Sequence, residues 1–294
     1  MKKQLVAAAA ILMGVIAVPA QQQVLKDAER AMKGGKAPAE VVALITPAFS
    51  DPETKAMAQT YYIPGKAMFN EFDELFTKKQ FNALPENGAL IMADDLLGGY
   101  GYFMQALALD SVPDNKGKIK TKYSKDIVNT LGGHYGDFHE AALAYWEVQN
   151  YNGAYNAWDA FLNIVQDPRF ARQLPQTPAD SVVGEIAFNQ GIAAWQAEEL
   201  AKALASFQLA KSKGYSKKQV YDYSLAVAAG LEDKDACFAI ASEALPIYGK
   251  EDPMYIGYIN DFYLKSKEID KAFNMIDEAI ANDPTNSQYY LVKG

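Results

Sequence analysis

The sequence predicts an all-α fold made of stacked antiparallel helix pairs. The first supporting observation is a spacing in which a small residue is followed by an apolar residue four positions later and by a second small residue three positions after that. Such a spacing marks one face of a helix. The second observation is that this spacing recurs after 34 and 35 residues. A fixed period of this length is typical of proteins built from helical repeats.

The three occurrences lie in the C-terminal part of the chain, and their residues are Ala203, Phe207 and Ala210, then Cys237, Ala241 and Ala244, then Ala272, Ile276 and Ala279. Small residues let a neighbouring helix approach closely, so we expect each set to face a partner helix. That partner helix comes first in each unit. It is marked by Gly191, Leu225 or Asn260, each of which precedes the first small residue by twelve positions.

Two further residues follow a known repeat pattern. Tyr263 and Pro284 stand where the pattern W-x2-L-G-x2-Y, A-x3-F, P expects Tyr and Pro. The chain therefore resembles the tetratricopeptide repeat (TPR) family. The resemblance implies a right-handed superhelical solenoid of stacked antiparallel helix pairs, in which the first helices of successive repeats line a concave groove.

The same frame extends towards the N-terminus. Tyr145, Ala154 and Trp158 fit a unit that starts near Tyr135, so residues 132–294 are predicted to be TPR repeats, the last of them incomplete. Residues 21–131 are predicted to be divergent N-terminal helical repeats with insertions. Within them, three glycines are expected to loosen a helix, and they are Gly98, Gly99 and Gly101.

An inserted connection interrupts the repeats. The interval from Ala154 to Ala203 is 49 residues, which is fifteen more than one repeat. The excess contains three prolines, which are Pro168, Pro175 and Pro178. Because proline cannot continue a helix interior, we expect a loop here. The next helix is then predicted to start with Asp180 or Ser181 as its N-cap.

The first twenty residues predict a signal peptide. Lys2 and Lys3 precede an apolar run over residues 5–18, and Ala20 supplies a small residue at the cleavage point. Cleavage after Ala20 gives an exported bacterial protein, periplasmic or associated with the outer membrane, with a formal charge of 26 − 36 = −10. The alternative is an uncleaved N-terminal anchor helix.

The composition excludes several function classes. Two His and one Cys among 294 residues exclude a disulfide framework and a Cys-rich zinc module. The 28 basic and 36 acidic residues give a net charge of −8. Such a chain is poorly suited to neutralising phosphates, so no nucleic-acid partner is expected.

No catalytic residue, metal site or cofactor is predicted. His134 and His139 are five residues apart, whereas metal ligands on one helix face need a spacing of three or four. The motif H-E-x-x-H begins at His139 and fails at Leu143. Cys237 occupies a small helix-contact position, so we expect a buried thiol rather than a nucleophile.

One basic segment interrupts the acidic chain, and its lysines are Lys116, Lys118, Lys120, Lys122 and Lys125. Two interpretations stay open. The segment either docks an anionic partner or is a solvated loop between helices, and the second interpretation is favoured because short charge runs are usually solvated.

The resemblance to TPR proteins also implies which residues form a partner-binding groove, and these are His139, Leu143, Trp146, Phe188, Ile192, Trp195, Asp222, Tyr223, Tyr258 and Asp261. Family members that clamp a peptide carboxylate carry Lys, Arg and Asn at positions occupied here by Phe188, Ile192, Asp222 and Ala226, so that specificity is not expected. Trp146 and Trp195 are either exposed anchors in the groove or ordinary packing residues.

The function predicted from these observations is a non-catalytic exported scaffold that binds a protein or peptide partner in the concave groove. The alternative is a glycan- or nutrient-capture protein associated with the bacterial outer membrane, which would use aromatic side chains as sugar platforms. A third class, a hydrolase, would need an acid/base pair in the groove.

A last expectation concerns the C-terminal end of the sequence. Tyr290 falls at the first aromatic position of a new repeat and Gly294 at its Gly position, so the final unit lacks its second helix. We expect that further repeats follow, or that a partner or a second copy covers the apolar face of the last complete unit.

Overall fold

The computed structural model describes residues 22–113, 116–249 and 251–294. Its secondary structure is 74% helix, and the described residues contain no strand, so the predicted all-α fold is confirmed. The described residues form fourteen helices that pack in adjacent pairs, which is consistent with a helical repeat. Within these ranges, no helix combines the length and the apolar character needed to cross a bilayer. The predicted signal peptide, residues 1–20, lies outside the described residues.

The chain divides into two compact units, the first ending at Thr177 and the second covering Pro178–Gly294. The division falls among the prolines predicted to form an inserted connection. The predicted change from divergent to regular repeats, between residues 131 and 132, is a different boundary and stays a prediction.

The helices of the first unit are α1 (residues 22–33), α2 (Pro38–Ile45), α3 (Ala58–Gln80), α4 (Gly88–Asp110), α5 (Ser124–Gly133), α6 (Asp137–Glu147) and α7 (Tyr151–Gln166). The hairpin of α3 and α4 is its largest interface, and α6 packs against both α4 and α7. The core of this unit includes Phe69, Phe103 and Phe138, all at most 1% exposed.

The glycines of α4 do not interrupt the helix, which is continuous from Gly88 to Asp110. The expectation that all three of them loosen it does not hold for Gly99, which packs against α3. A Cβ on Gly99 would lie 2.9 Å from the Phe69 ring, and a Cβ on Gly65 would lie 2.5 Å from the Phe103 ring. The absence of these Cβ atoms therefore allows α3 and α4 to cross closely.

The helices of the second unit are α8 (Asp180–Gln196), α9 (Leu200–Ser212), α10 (Lys218–Gly230), α11 (Lys234–Tyr248), α12 (Met254–Lys265), α13 (Ile269–Asn282) and α14 (Ser287–Lys293). Each packs against the next along the chain. The predicted cap of α8 is wrong, because Ala179 occupies the N-cap position and Asp180 lies in the first turn. The Asp180 carboxylate instead accepts a hydrogen bond from Lys213 Nζ at 3.0 Å.

The repeated small–apolar–small spacing lies where the sequence predicted it, on the second helix of each pair. Ala203, Phe207 and Ala210 on α9 are all fully buried. Their counterparts on α11 are also buried. On α13 Ala272 and Ile276 are each 2% exposed, whereas Ala279 is only partly buried. A Cβ on Gly191 would lie 2.5 Å from the Phe207 ring, so α8 and α9 cross as closely as the pattern indicates.

Candidate functional site

The predicted groove residues of the second unit lie on its first helices, α8, α10 and α12. On α8 and α10 they form an aromatic cluster. The Phe188 ring is parallel to the Tyr223 ring, with centroids 5.8 Å apart, and it stacks on Tyr215 at 4.7 Å. The Trp195 ring lies 5.4 Å from Tyr223. Phe188 is only 8% exposed and is therefore the buried base of the cluster, whereas Trp195 and Ile192 are partly exposed.

An open pocket of about 730 Å³ lies next along this unit, between the end of α10, the start of α11 and the second half of α12. Two predicted groove residues, Tyr258 and Asp261, line it together with Cys237 and Phe262. Its charged residues are Glu232, Asp233, Asp235 and Asp261 on the acidic side and Lys234 and Lys265 on the basic side. The pocket thus combines an aromatic wall with an excess of carboxylates.

Two of these carboxylates already have partners. Asp233 accepts a hydrogen bond from the Ala236 N–H at 2.9 Å and so caps α11. Asp261 forms an ion pair with Lys265 one turn later on α12. Both side chains of this pair are more than half exposed, so the pair contributes little to stability and can exchange for another cation.

The thiol of Cys237 is buried beneath this pocket, as the repeat frame predicted. Burial raises the pKa of Cys237 above the usual value, and the nearby carboxylates of Asp233 and Asp261 raise it further. A thiol in such surroundings stays protonated at neutral pH, so it is a poor nucleophile. Cys237 therefore lines the pocket as a small packing residue.

Asp222, a further predicted groove residue, takes part in a network that joins α10 to α12. Its carboxylate accepts hydrogen bonds from Lys218 Nζ at 2.8 Å and from the Tyr255 hydroxyl at 2.5 Å. Lys218 also bonds Asp252 at 2.8 Å. Burial raises the pKa of Tyr255, and the hydrogen bond to Asp222 raises it further. Sequence reasoning placed Asp222 in the groove but could not identify its partner 33 residues later.

In the first unit, the predicted groove residues His139, Leu143 and Trp146 all lie on α6. Trp158 on α7 donates its indole N–H to His139 Nδ1 at 3.0 Å. The Trp146 ring lies 5.1 Å from the Tyr151 ring and is partly exposed, so it is neither a free anchor nor a core residue. Leu143 is 38% exposed.

The other histidine, His134, contacts different residues. Its Nδ1 lies 2.8 Å from the Asp137 carboxylate. Its other ring nitrogen, Nε2, lies 3.4 Å from the Asp73 carboxylate. The two histidines therefore have separate partners, and Asp73 could not be found from the local spacing because it lies on α3. Among the described residues, no group of three or more His, Cys, Asp or Glu side chains could hold a metal ion.

The lysine segment is held at its C-terminal end by Asp110, the last residue of α4. The Asp110 carboxylate accepts hydrogen bonds from the N–H groups of Lys122, Tyr123 and Ser124 and from the Ser124 hydroxyl, at 2.7–3.0 Å. Although partial burial opposes ionisation, these hydrogen bonds hold the pKa of Asp110 below its usual value. Sequence reasoning did not identify this residue, because nothing local links it to the start of α5.

Comparison with known proteins assigns no family. No protein-family model matches the chain, and no curated protein matches it either. The function is therefore inferred from the arrangement of the side chains described above.

Proposed function

We propose that the protein is a non-catalytic exported scaffold that binds a protein or peptide partner. In this proposal the paired helices form a TPR-like solenoid, and the partner lies against the first helices of successive repeats. Stacking supplies the rigidity, because one helix pair cannot bury its apolar face alone and depends on its neighbours.

One observation carries this proposal. The pocket between α10, α11 and α12 is lined by Tyr258 and Asp261, two of the residues that the repeat frame placed on the binding surface. Its volume of about 730 Å³ lies within the range of ligand pockets. Tyr258 can supply an apolar contact with a polar end, and the surplus of carboxylates favours a partner segment that carries Lys or Arg.

The proposal is tested by capturing partners from envelope extract with the purified protein as bait. We expect the wild-type protein to retain a protein partner that the double variant Tyr258→Ala with Asp261→Ala does not retain. Neither side chain is fully buried, so the double variant should keep the helical circular-dichroism signal. The control replaces Asp270 and Asn274, two exposed residues of α13, with Ala. Equal capture by the wild-type protein and the pocket variant would contradict the proposal.

The glycan-capture alternative is distinguished by a separate measurement. Binding to a glycan array that is lost in Trp195→Ala or Trp146→Ala would favour sugar recognition on aromatic side chains. Both rings are partly exposed and make only edge or tilted ring contacts, so each can be removed without opening the core.

A further inference from the structure

The first unit contains a second concave surface, separate from the pocket of the second unit. It lies between the last turns of α3, the first turns of α4 and one side of α6, and its volume is about 270 Å³. We call it the α3–α4–α6 groove. Its apolar lining comes from all three helices and includes Phe72, Phe76, Met92, Ala141 and Leu143.

The apolar side chains of this groove are incompletely covered. Phe76 is 37% exposed and Leu143 is 38% exposed, although both are large apolar side chains. Two further large apolar residues lie at the same end of the α3–α4 hairpin. These are Ile91 in the first turn of α4, which is 39% exposed, and Phe81 just after α3, which is 77% exposed. Ile91 and Phe81 do not line the groove, so its exposed large apolar side chains are Phe76 and Leu143. An exposed apolar concavity of this kind marks an interaction surface.

The charged side chains that line the groove are mostly acidic. Three carboxylates of α6 line it, Asp137, Glu140 and Glu147, against a single ammonium group, Lys79 of α3. Asp137 is hydrogen-bonded to His134, which leaves Glu140 and Glu147 as the exposed acids. They are seven residues apart, so they lie on the same side of α6 and about 10 Å apart along its axis.

The walls of the groove also restrict the conformation of an occupant. All three walls are helices, whose backbone N–H and C=O groups are bonded internally, so an extended peptide would find no strand edge to pair with. An amphipathic helix needs no such edge, because it satisfies its own backbone and presents side chains at positions i, i+3, i+4 and i+7.

We propose that the α3–α4–α6 groove binds a cationic amphipathic helix of a partner protein, with Leu-like side chains in the apolar lining and Lys or Arg residues two turns apart opposite Glu140 and Glu147. This inference rests on the proposed function, since it assumes a scaffold that binds proteins. It adds a second site and the chemistry of its ligand.

The inference is tested with a synthetic peptide of about 14 residues, which spans about 21 Å as a helix. The peptide is built from Leu, Ala and Lys, with leucines along one face and lysines beside them, and a matched peptide carries Glu in place of Lys. Binding to the whole chain is measured by fluorescence anisotropy. We expect the Lys peptide to bind at least about tenfold more tightly than the Glu peptide and to weaken as salt is added.

Variants then locate the site. Glu140→Lys with Glu147→Lys should weaken binding of the Lys peptide by about tenfold or more, because both changes place like charges opposite the peptide. The matched control, Glu185→Lys with Glu278→Lys, makes the same change of charge at exposed positions of α8 and α13 and should alter binding by less than about twofold. Circular dichroism of each variant verifies that its helices are intact.

A photoreactive leucine in the Lys peptide should cross-link to α3, α4 or α6. Cross-links confined to residues 178–294 would overturn this inference and leave the proposed function standing. Equal binding of the Lys and Glu peptides, or full binding by the Glu140 and Glu147 variant, would also overturn it. A dimer of the protein that Leu143→Asp dissociates would assign the groove to a second copy and reject a separate partner.

Discussion

At the scale of single residues, Asp95 on α4 has an unfavourable environment. It is 7% exposed, and its Oδ2 has no hydrogen-bond partner among the described residues. Burial raises the pKa of Asp95 to about 7, and the charges of Glu71 on α3 and Asp94 on α4 add to the effect. Tyr145 of α6 is also close, but it donates its hydroxyl to Asp94 instead.

The raised pKa makes stability depend on pH. Between the usual pKa of 3.8 and the folded value of about 7, the folded state holds a proton that the unfolded state has lost. Stability is therefore highest below this window, falls as the pH rises through it and levels off above it. We expect Asp95→Asn to be more stable than the wild type by about 4 kcal/mol at pH 8, with most of this difference gone near pH 4.

Urea unfolding at several pH values measures this effect. Glu74→Gln on α3 removes only a solvent-exposed ion pair with Lys78, so it is the control and should stay within about 0.5 kcal/mol of the wild type at each pH. If the difference in free energy of unfolding between the wild type and Asp95→Asn is the same at pH 4 and pH 8, Asp95 is not protonated in the folded state.

At the scale of the helices, two glycines of α4 only two residues apart have opposite roles. A Cβ on Gly99 would meet the ring of Phe69, which is 1% exposed and cannot move away. A Cβ on Gly101 would meet nothing within 4 Å.

Gly99→Ala should therefore lower the free energy of unfolding by about 1–3 kcal/mol. Gly101→Ala should raise it by about 0.5–1 kcal/mol, because alanine favours the helix. Thermal unfolding of the two variants tests both signs, and destabilisation by Gly101→Ala would contradict the open space beside Gly101.

The close contacts of the second unit make a parallel prediction. Ala203→Asp on α9 and Cys237→Asp on α11 each place an unpaired charge against a neighbouring helix, so each should cost about 3 kcal/mol or more. Gln208→Asp and Ser242→Asp introduce the same side chain at exposed positions of the same helices and should stay within about 0.5 kcal/mol. Chemical denaturation compares each pair, and equal losses within a pair would contradict the repeat frame.

The helices themselves were predictable from sequence wherever the signal is local. The small–apolar–small spacing depends only on side chains four and three positions apart, and the structure buries Ala203, Phe207 and Ala210 as that spacing requires. The role of Gly99 was not predictable, because the same residue loosens a free helix and enables a close crossing. Which effect dominates depends on Phe69, thirty residues away on another helix.

The candidate site was predictable in part for the same reason. Tyr258 and Asp261 line a pocket because their face of α12 follows from the repeat frame. Phe188 lies on the predicted surface too, but Tyr215, which precedes α10, stacks on it and leaves it 8% exposed. Asp222 is bonded to Tyr255 and Lys218, a pairing across repeats that a single-repeat pattern does not contain.

At the scale of the whole molecule, each compact unit has its own core. Phe138 in the first unit and Phe207 in the second are both fully buried. We therefore expect calorimetry to resolve two unfolding transitions. Phe138→Ala should lower the midpoint of one of them and Phe207→Ala that of the other, because each removes about 3–5 kcal/mol of core packing. A single transition shifted by both variants would show that the units unfold together.

The hydrogen bonds of Asp110 have a practical consequence for engineering the chain. They join residues 12 to 14 positions apart, so the start of α5 is held by side chains of other helices, namely Asp110 and also Tyr62, whose hydroxyl bonds Asp126. The cost of closing a loop grows slowly with its length, by about 0.6 kcal/mol for each doubling. A flexible epitope tag inserted after Gly117, which is exposed, should therefore leave the melting temperature nearly unchanged in the wild type. The same insertion combined with Asp110→Ala should lower the melting temperature, because the junction then loses the hydrogen bonds of this carboxylate.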